Sequence, residues 1–151
     1  MGYIQDIRKF IGHRAILGCA AGAIILDSFG RVLLQRRSDN GLWDNPGGSM
    51  ELGEEIEDTL KREVYEETGL RISNPYFFKI YSGESLHIIY PNQDEVYYLT
   101  VVYIVREYHG VLKSLDGESI ELKFYSWDEL PKNLTNQVHV ILNDLHQENI
   151  L

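Results

Sequence analysis

A single cysteine, Cys19, stands among the 151 residues. No internal disulfide can form, and nothing in the chain asks for an oxidising compartment. The neighbours of Cys19 are small and apolar, which predicts a buried, inert thiol. Positive charge is scarce as well: 14 Lys and Arg face 23 Asp and Glu, for a net charge of −9. That argues against non-specific binding to a nucleic-acid polymer or an anionic membrane surface, both of which need basic patches. A phosphorylated small molecule remains admissible if metal ions supply the missing positive charge. Long apolar runs are lacking too. The most extended one, Ala15–Leu26, has 12 residues and cannot span a bilayer as a helix. Arg8, Lys9 and Arg14 precede it as in a signal peptide, but the small residues Ala21-Gly22-Ala23 lie inside the run and not after it. Met1-Gly2 lacks the Ser or Thr at position 6 that myristoylation uses. The expectation is a cytoplasmic protein. The histidines, His13, His87, His109, His139 and His146, show no ligand spacing and predict no zinc site.

What is present is ordinary globular composition, 44% hydrophobic and 25% charged, without repeats or linkers. It reads as one domain over residues 1–151. Residues 3–11 carry an amphipathic helical pattern. Ala20–Leu26 and Arg31–Gln35 form a hairpin about Asp27-Ser28-Phe29-Gly30. Arg36–Gly41 is a polar loop, and Leu42–Gly48 is irregular, with Pro46 ending regular structure. Ile56, Leu60 and Val64 recur every four residues and predict a helix over Glu54–Thr68, stopped by Gly69. Phe77–Tyr81, Leu86–Tyr90, Val96–Val105 and Glu121–Trp127 read as strands, and Thr135–Glu148 as a last helix. Interleaved strands and helices predict an α/β protein with a mixed sheet flanked by helices. Tyr97, Tyr98 and Tyr103 alternate onto both sheet faces, where packing is favoured over stacking on a base.

The negative charge is not spread evenly. Between Glu51 and Glu67 there are eight carboxylates and two basic residues, a net charge of −6. On the helix, Glu63, Glu66 and Glu67 span an arc of roughly 100°. Glu67 projects between Ile56 and Leu60, so the acidic arc overlaps the apolar one, whereas Asp58, Lys61 and Tyr65 point away from it. Carboxylates turned inward and crowded together need a counter-ion, and a hard cation such as Mg²⁺ suits them.

The stretch Gly48, five residues, Glu54, seven residues, Arg62-Glu63-Val64-Tyr65-Glu66-Glu67-Thr68-Gly69-Leu70 resembles the signature box of the Nudix (MutT-like) hydrolases at every specified position. The resemblance implies an α/β/α sandwich and hydrolysis, dependent on Mg²⁺ or Mn²⁺, of a nucleoside diphosphate linked to another group. Candidate substrates are a (d)NTP, a nucleotide sugar such as ADP-ribose, or a dinucleoside polyphosphate. It further implies Glu63, Glu66 and Glu67 as metal ligands, helped by the Gly47 carbonyl, with the general base left among these glutamates or one outside the box. Arg62 is expected to orient carboxylates, and Glu54 to partner Arg62 from behind the metal, beside Gly48. A fourth carboxylate is expected from a later loop, Glu118 ahead of Glu121. Arg37, with Arg36 as its rival, is a candidate for a substrate phosphate. Asn45 departs from the large apolar residue many relatives carry before Pro-Gly-Gly, which makes it a candidate either for a substrate hydrogen bond or for reshaping the loop alone. The proline of ADP-ribose-cleaving relatives is replaced by Ser85 and Leu86, and Ile88 and Ile89 occupy the region where dinucleoside-polyphosphate cleavers carry tyrosine. A Nudix-like sensor without catalysis is the alternative, although such modules are expected to lose box glutamates. The aromatic, β-rich segments are compatible with a homodimer.

Overall fold

A computed structural model describes residues 2–151. In chain order the elements are α1 (Tyr3–Ile11), β1 (Ile16–Ile25), β2 (Val32–Arg37), β3 (Trp43–Asp44), β4 (Gly47–Ser49), α2 (Ile56–Thr68), β5 (Leu70–Ser73), β6 (Tyr76–Tyr81), β7 (His87–Ile89), β8 (Glu95–Val105), β9 (Glu107–Gly110), β10 (Ser119–Tyr125) and α3 (Asn136–Gln147). The main sheet runs β4-β1-β8-β6, with β7 also on β8. β1 and β8 are parallel and the other pairs antiparallel, so the sheet is mixed. A smaller sheet runs β10-β2-β3, and β5 pairs with β9.

Alternation along β1 and β8 sends side chains into two cores. Ile24, Val102 and Ile104 pack with Ile141, Leu142 and Leu145 of α3. Ala23, Ile25, Tyr103 and Val105 pack on the other face with Leu60 and Val64 of α2. The result is an α/β/α sandwich. Among the described residues no helix is long and apolar enough to cross a membrane.

Several expectations are corrected. The hairpin exists only at its root: Leu26 bridges Val32, and Asp27 Oδ1 accepts from the amides of Phe29 and Arg31. Beyond it the strands part. β1 is claimed on both edges, by β8 from Ile16 to Ile25 and by β4, so β2 pairs with β10 instead. The polar loop begins later than expected, since Arg36 and Arg37 end β2. The strand over Leu86–Tyr90 is shorter, with a 3₁₀ turn at Glu84–Leu86 before β7. α2 starts at Ile56 because Glu55 takes the N-cap in a capping box with Asp58. That leaves Glu54 outside the helix. Gly69 closes α2 at φ 77°, a left-handed conformation that glycine adopts without strain. The thiol of Cys19 is exposed, not buried. Cys19 faces the α2 side of the sheet, next to Leu99 in register, on a part that α2 leaves uncovered; Leu17 on the same face is 88% exposed.

Candidate active site

α2 delivers its acids to the edge of the main sheet, where β4 passes. Glu63 lies against Gly48, where any Cβ would overlap its carboxylate. Gly48 is therefore required for close approach of the helix to β4. One helical turn on, Glu67 is 3% exposed. Its Oε2 accepts from the Gly47 amide at 2.8 Å and from Gln35 Nε2 at 3.3 Å. The contribution of Gly47 seen in the hydrogen bonding is thus its N–H.

Arg62 gathers the neighbouring acids. Nε and Nη2 donate to Glu54 at 2.7 and 2.9 Å, Nη1 to Glu63 at 2.8 Å and more weakly to Glu66 at 3.5 Å, and Nη2 also to the Ser49 carbonyl at 3.0 Å. Glu54 accepts in addition from the Glu51 amide and the Thr59 hydroxyl. These donors, Arg62 first, hold the Glu54 carboxyl down at about 2. Glu54 is thus a fixed anion that anchors Arg62 across the start of the helix.

The loop before β10 completes the acidic group. Glu67, Asp116 and Glu118 present carboxylate oxygens within 4.8 Å of one another, and among the described residues this is the trio that approaches so closely. The trio Glu63, Glu66 and Glu67 does not. Glu63 and Glu66 are drawn toward Arg62, and the Glu66 side chain is 44% exposed. Glu121 lies on β10 opposite Arg36, leaving Glu118 as the loop acid at the site. Asp116 and Gln35 are members that sequence reasoning missed. An Asp-Gly pair before a strand is a weak hint for the former, and for Gln35 the hint is a polar residue ending an apolar strand.

Burial pushes Glu63 up to about 7, against the help of Arg62. It also raises Glu67 well above the usual value, with Glu63 adding repulsion, and raises Glu118, with Asp116 adding repulsion. Glu67 is buried while Asp116 and Glu118 are exposed, and mutually repelling oxygen donors of this kind suit a hard divalent cation. Glu67, Glu118 and Asp116, with Glu63 and Glu66 beside them, are the residues that could hold a divalent cation. The pH consequence has a definite sign. Between the unfolded value near 4.5 and the raised folded value of about 7 for Glu63, the folded metal-free chain holds protons that the unfolded chain has lost. Stability therefore falls as pH rises through this window, by about 1.4 kcal/mol per unit per group. A bound cation removes the penalty. Mg²⁺ is expected to raise the Tm more at pH 8 than at pH 5, measured by calorimetry; equal shifts would contradict this origin of the raised values.

A cleft of about 680 Å³ opens from the acids across the sheet face, a size suited to a nucleotide. Arg37 and Asn45 line it with Tyr90 and Tyr98, while Arg36 turns outward to the Gly41 carbonyl. Arg37 is held by both oxygens of Asp39 at 2.9 and 2.7 Å and lies 5.9 Å over the Tyr90 ring. Asp44, buried in the cleft wall, is pushed up to about 6 by burial despite Arg37. Gln5 and Arg8 of α1 also line the cleft. Tyr97 stays outside it, stacked on His87 at 4.2 Å.

Comparison with known proteins agrees with this architecture. A "MutT-like protein" of Streptomyces ambofaciens is 41% identical over 69 residues, which is 46% of this chain and 44% of that protein, so less than half of that relative is spanned. An "ADP-ribose pyrophosphatase" of Methanocaldococcus jannaschii is 29% identical over 129 residues, covering 83% of this chain and 72% of that one. The crystal structure of a MutT protein from Methanosarcina mazei Go1 superposes with a TM-score of 0.73 at 25% identity, covering 90% of this chain and 97% of that one. The family described as NUDIX domain matches residues 17–145. With the match running over most of the chain and the box helix at the centre of the acidic site, the chain belongs to the NUDIX domain family.

Proposed function

We propose that this protein is a metal-dependent pyrophosphohydrolase that cleaves a nucleoside diphosphate linked to another group by attack of water on phosphorus, releasing a nucleoside monophosphate. The observation that carries this is Glu67, 3% exposed yet grouped with Asp116 and Glu118 at the end of a nucleotide-sized cleft. Divalent metal ions, when bound, neutralise phosphate oxygens and lower the pKa of water. The side chains of the chain do the rest. Glu67 is oriented by the Gly47 amide and Gln35. Arg62, tied to Glu54, holds the Glu63 carboxylate in place and approaches Glu66 more weakly. Arg37 offers its charge to a substrate phosphate from the cleft wall. The proton of the attacking water goes to a carboxylate beside the metal site. Glu118, brought to the site by the loop before β10, fits this role, and Glu54, held near 2 by Arg62, does not.

The relative named an ADP-ribose pyrophosphatase supports a nucleotide sugar as the first substrate to test. Retention of all the box glutamates argues against a sensor that binds without cleaving. The test is phosphate release, after phosphatase coupling, from ADP-ribose, dinucleoside polyphosphates and (d)NTPs, each with Mg²⁺ and with chelator. At least one compound is expected to turn over only with metal. Metal-dependent turnover of none would overturn the hydrolase reading in favour of the sensor.

A further inference from the structure

Ala20 lies on the floor of the cleft, in register with Ser49 on β4 and Thr100 on β8, so the three side chains rise from one face of the sheet. Two residues away on either side β1 carries a glycine, and each glycine is overlain by a neighbour. The Tyr98 ring covers Gly18, where a Cβ would sit 3.0 Å from its Cε1. The Asn45 amide covers Gly22, where a Cβ would sit 2.9 Å from Nδ2. Gly18 and Gly22 are roughly 13 Å apart at about 3.3 Å per strand residue. The result is a slot with a methyl floor at Ala20, Tyr98 at one end and Asn45 at the other.

The polar atoms of the slot are unevenly satisfied. The Tyr98 hydroxyl is bonded to that of Tyr90 at 2.9 Å and approaches Ser49 Oγ at 3.4 Å. Asn45 Nδ2 donates to the Pro46 carbonyl at 3.1 Å, which orients the amide. Its Oδ1 is buried without a partner, and so is Thr100 Oγ1, in residues only 3% and 1% exposed. Buried polar atoms are nearly always paired, and each one left unpaired costs about 1–3 kcal/mol. Both residues line the cleft, although the two atoms themselves are covered, so a ligand brings the missing partners after a small rotation of either side chain. Asn45 Oδ1 is an acceptor only, which turns away phosphate oxygens and demands an N–H or O–H. A flat apolar floor suits the face of an aromatic ring.

We infer that this slot is the nucleobase subsite, an inference that rests on the pyrophosphohydrolase reading above. The base lies over Ala20 with a ring or exocyclic N–H donating to Asn45 Oδ1, and Thr100 Oγ1 bonds the adjacent polar atom of the base. The carboxylates and Arg37 face the diphosphate, so Asn45 and Thr100 determine which base is held.

The test uses ¹⁵N-labelled full-length protein with Mg²⁺, titrated with AMP, GMP, CMP, UMP and, separately, ribose 5-phosphate. The Asn45 side-chain NH₂ pair and the Thr100 amide are expected to shift with at least one nucleoside monophosphate and not with ribose 5-phosphate. Asn45→Leu and Thr100→Val are expected to raise the KM of the preferred nucleotide substrate at least about tenfold, with kcat changed by less than about threefold. Equal shifts with ribose 5-phosphate would assign the slot to the sugar and overturn the inference, as would no shift with any nucleotide or an unchanged KM in both variants. The two readings fail separately. Turnover of a nucleotide without movement of the Asn45 and Thr100 signals removes the subsite and leaves the hydrolase. Movement without turnover of any compound keeps the slot and removes the hydrolase.

Discussion

Glu67→Gln is expected to reduce metal-dependent turnover by two or more orders of magnitude while leaving the fold intact. Glutamine has the same shape, and its Oε1 can still accept from the Gly47 amide at the position now held by Oε2. What disappears is a negative charge at a site that is 3% exposed and shared with Asp116 and Glu118. In the metal-free protein that charge is unfavourable, as the upward displacement of the Glu67 carboxyl by burial shows. The substitution should therefore hold the Tm or raise it slightly, the pattern expected where a site is built for chemistry at the expense of stability. Steady-state kinetics with calorimetry on the same preparation checks both halves. Near-normal turnover with Mg²⁺ would remove Glu67 from the metal ligands. A large fall in Tm would mean that the residue serves packing.

How much of this could be read from the sequence depends on the range of the interaction involved. The box helix was readable because its signals are local: the four-residue recurrence of Ile56, Leu60 and Val64, the stop at Gly69, and acids projecting onto the apolar arc. The burial of Glu67 follows from that projection alone. Arg62 beside Glu63 and Glu66 also lies within reach of helix geometry, whereas Glu54, expected as the first helical residue, stands before the N-cap and still reaches Arg62. Asp116 and Gln35 could not be read in this way. Their position beside Glu67 depends on β10 pairing with β2, through residues separated by some eighty positions, and no local pattern specifies that register. The parting of β1 from β2 has the same origin, since a turn such as Asp27–Gly30 dictates a hairpin root but not which partners the strands find afterwards. Cys19 was misjudged because small apolar neighbours indicate a sheet interior without saying how far a helix covers it. Arg36 and Arg37, adjacent in sequence, point to opposite sides of a strand, and only the fold decides which side is the cleft.

Arg62→Met is expected to lower stability by about 3 kcal/mol in the absence of metal, because it leaves carboxylates at the sheet edge without their counter-charge. Glu54 and Glu63 have side chains 19% and 15% exposed, and Arg62 itself is 30% exposed, so the loss should fall at or below the usual range for breaking a buried pair. In a chain of this length that corresponds to a drop of roughly 6–12 °C in Tm. The Ser49 carbonyl also loses its donor, which loosens β4 against α2 where Gly48 meets Glu63. Arg62→Lys keeps the charge but cannot bridge Glu54, Glu63 and Ser49 together, so it should recover only part of the loss. Mg²⁺ should stabilise the Met variant more than the wild type, since a cation at the acids substitutes for some of the missing charge. Turnover should nevertheless stay low, because a cation at the acids does not restore the tie from Glu54 that fixes the direction of Glu63. Thermal scans of the three proteins with and without Mg²⁺ distinguish this from simple loss of packing. If Met and Lys variants melt together and respond to Mg²⁺ as the wild type does, the guanidinium does not organise the site.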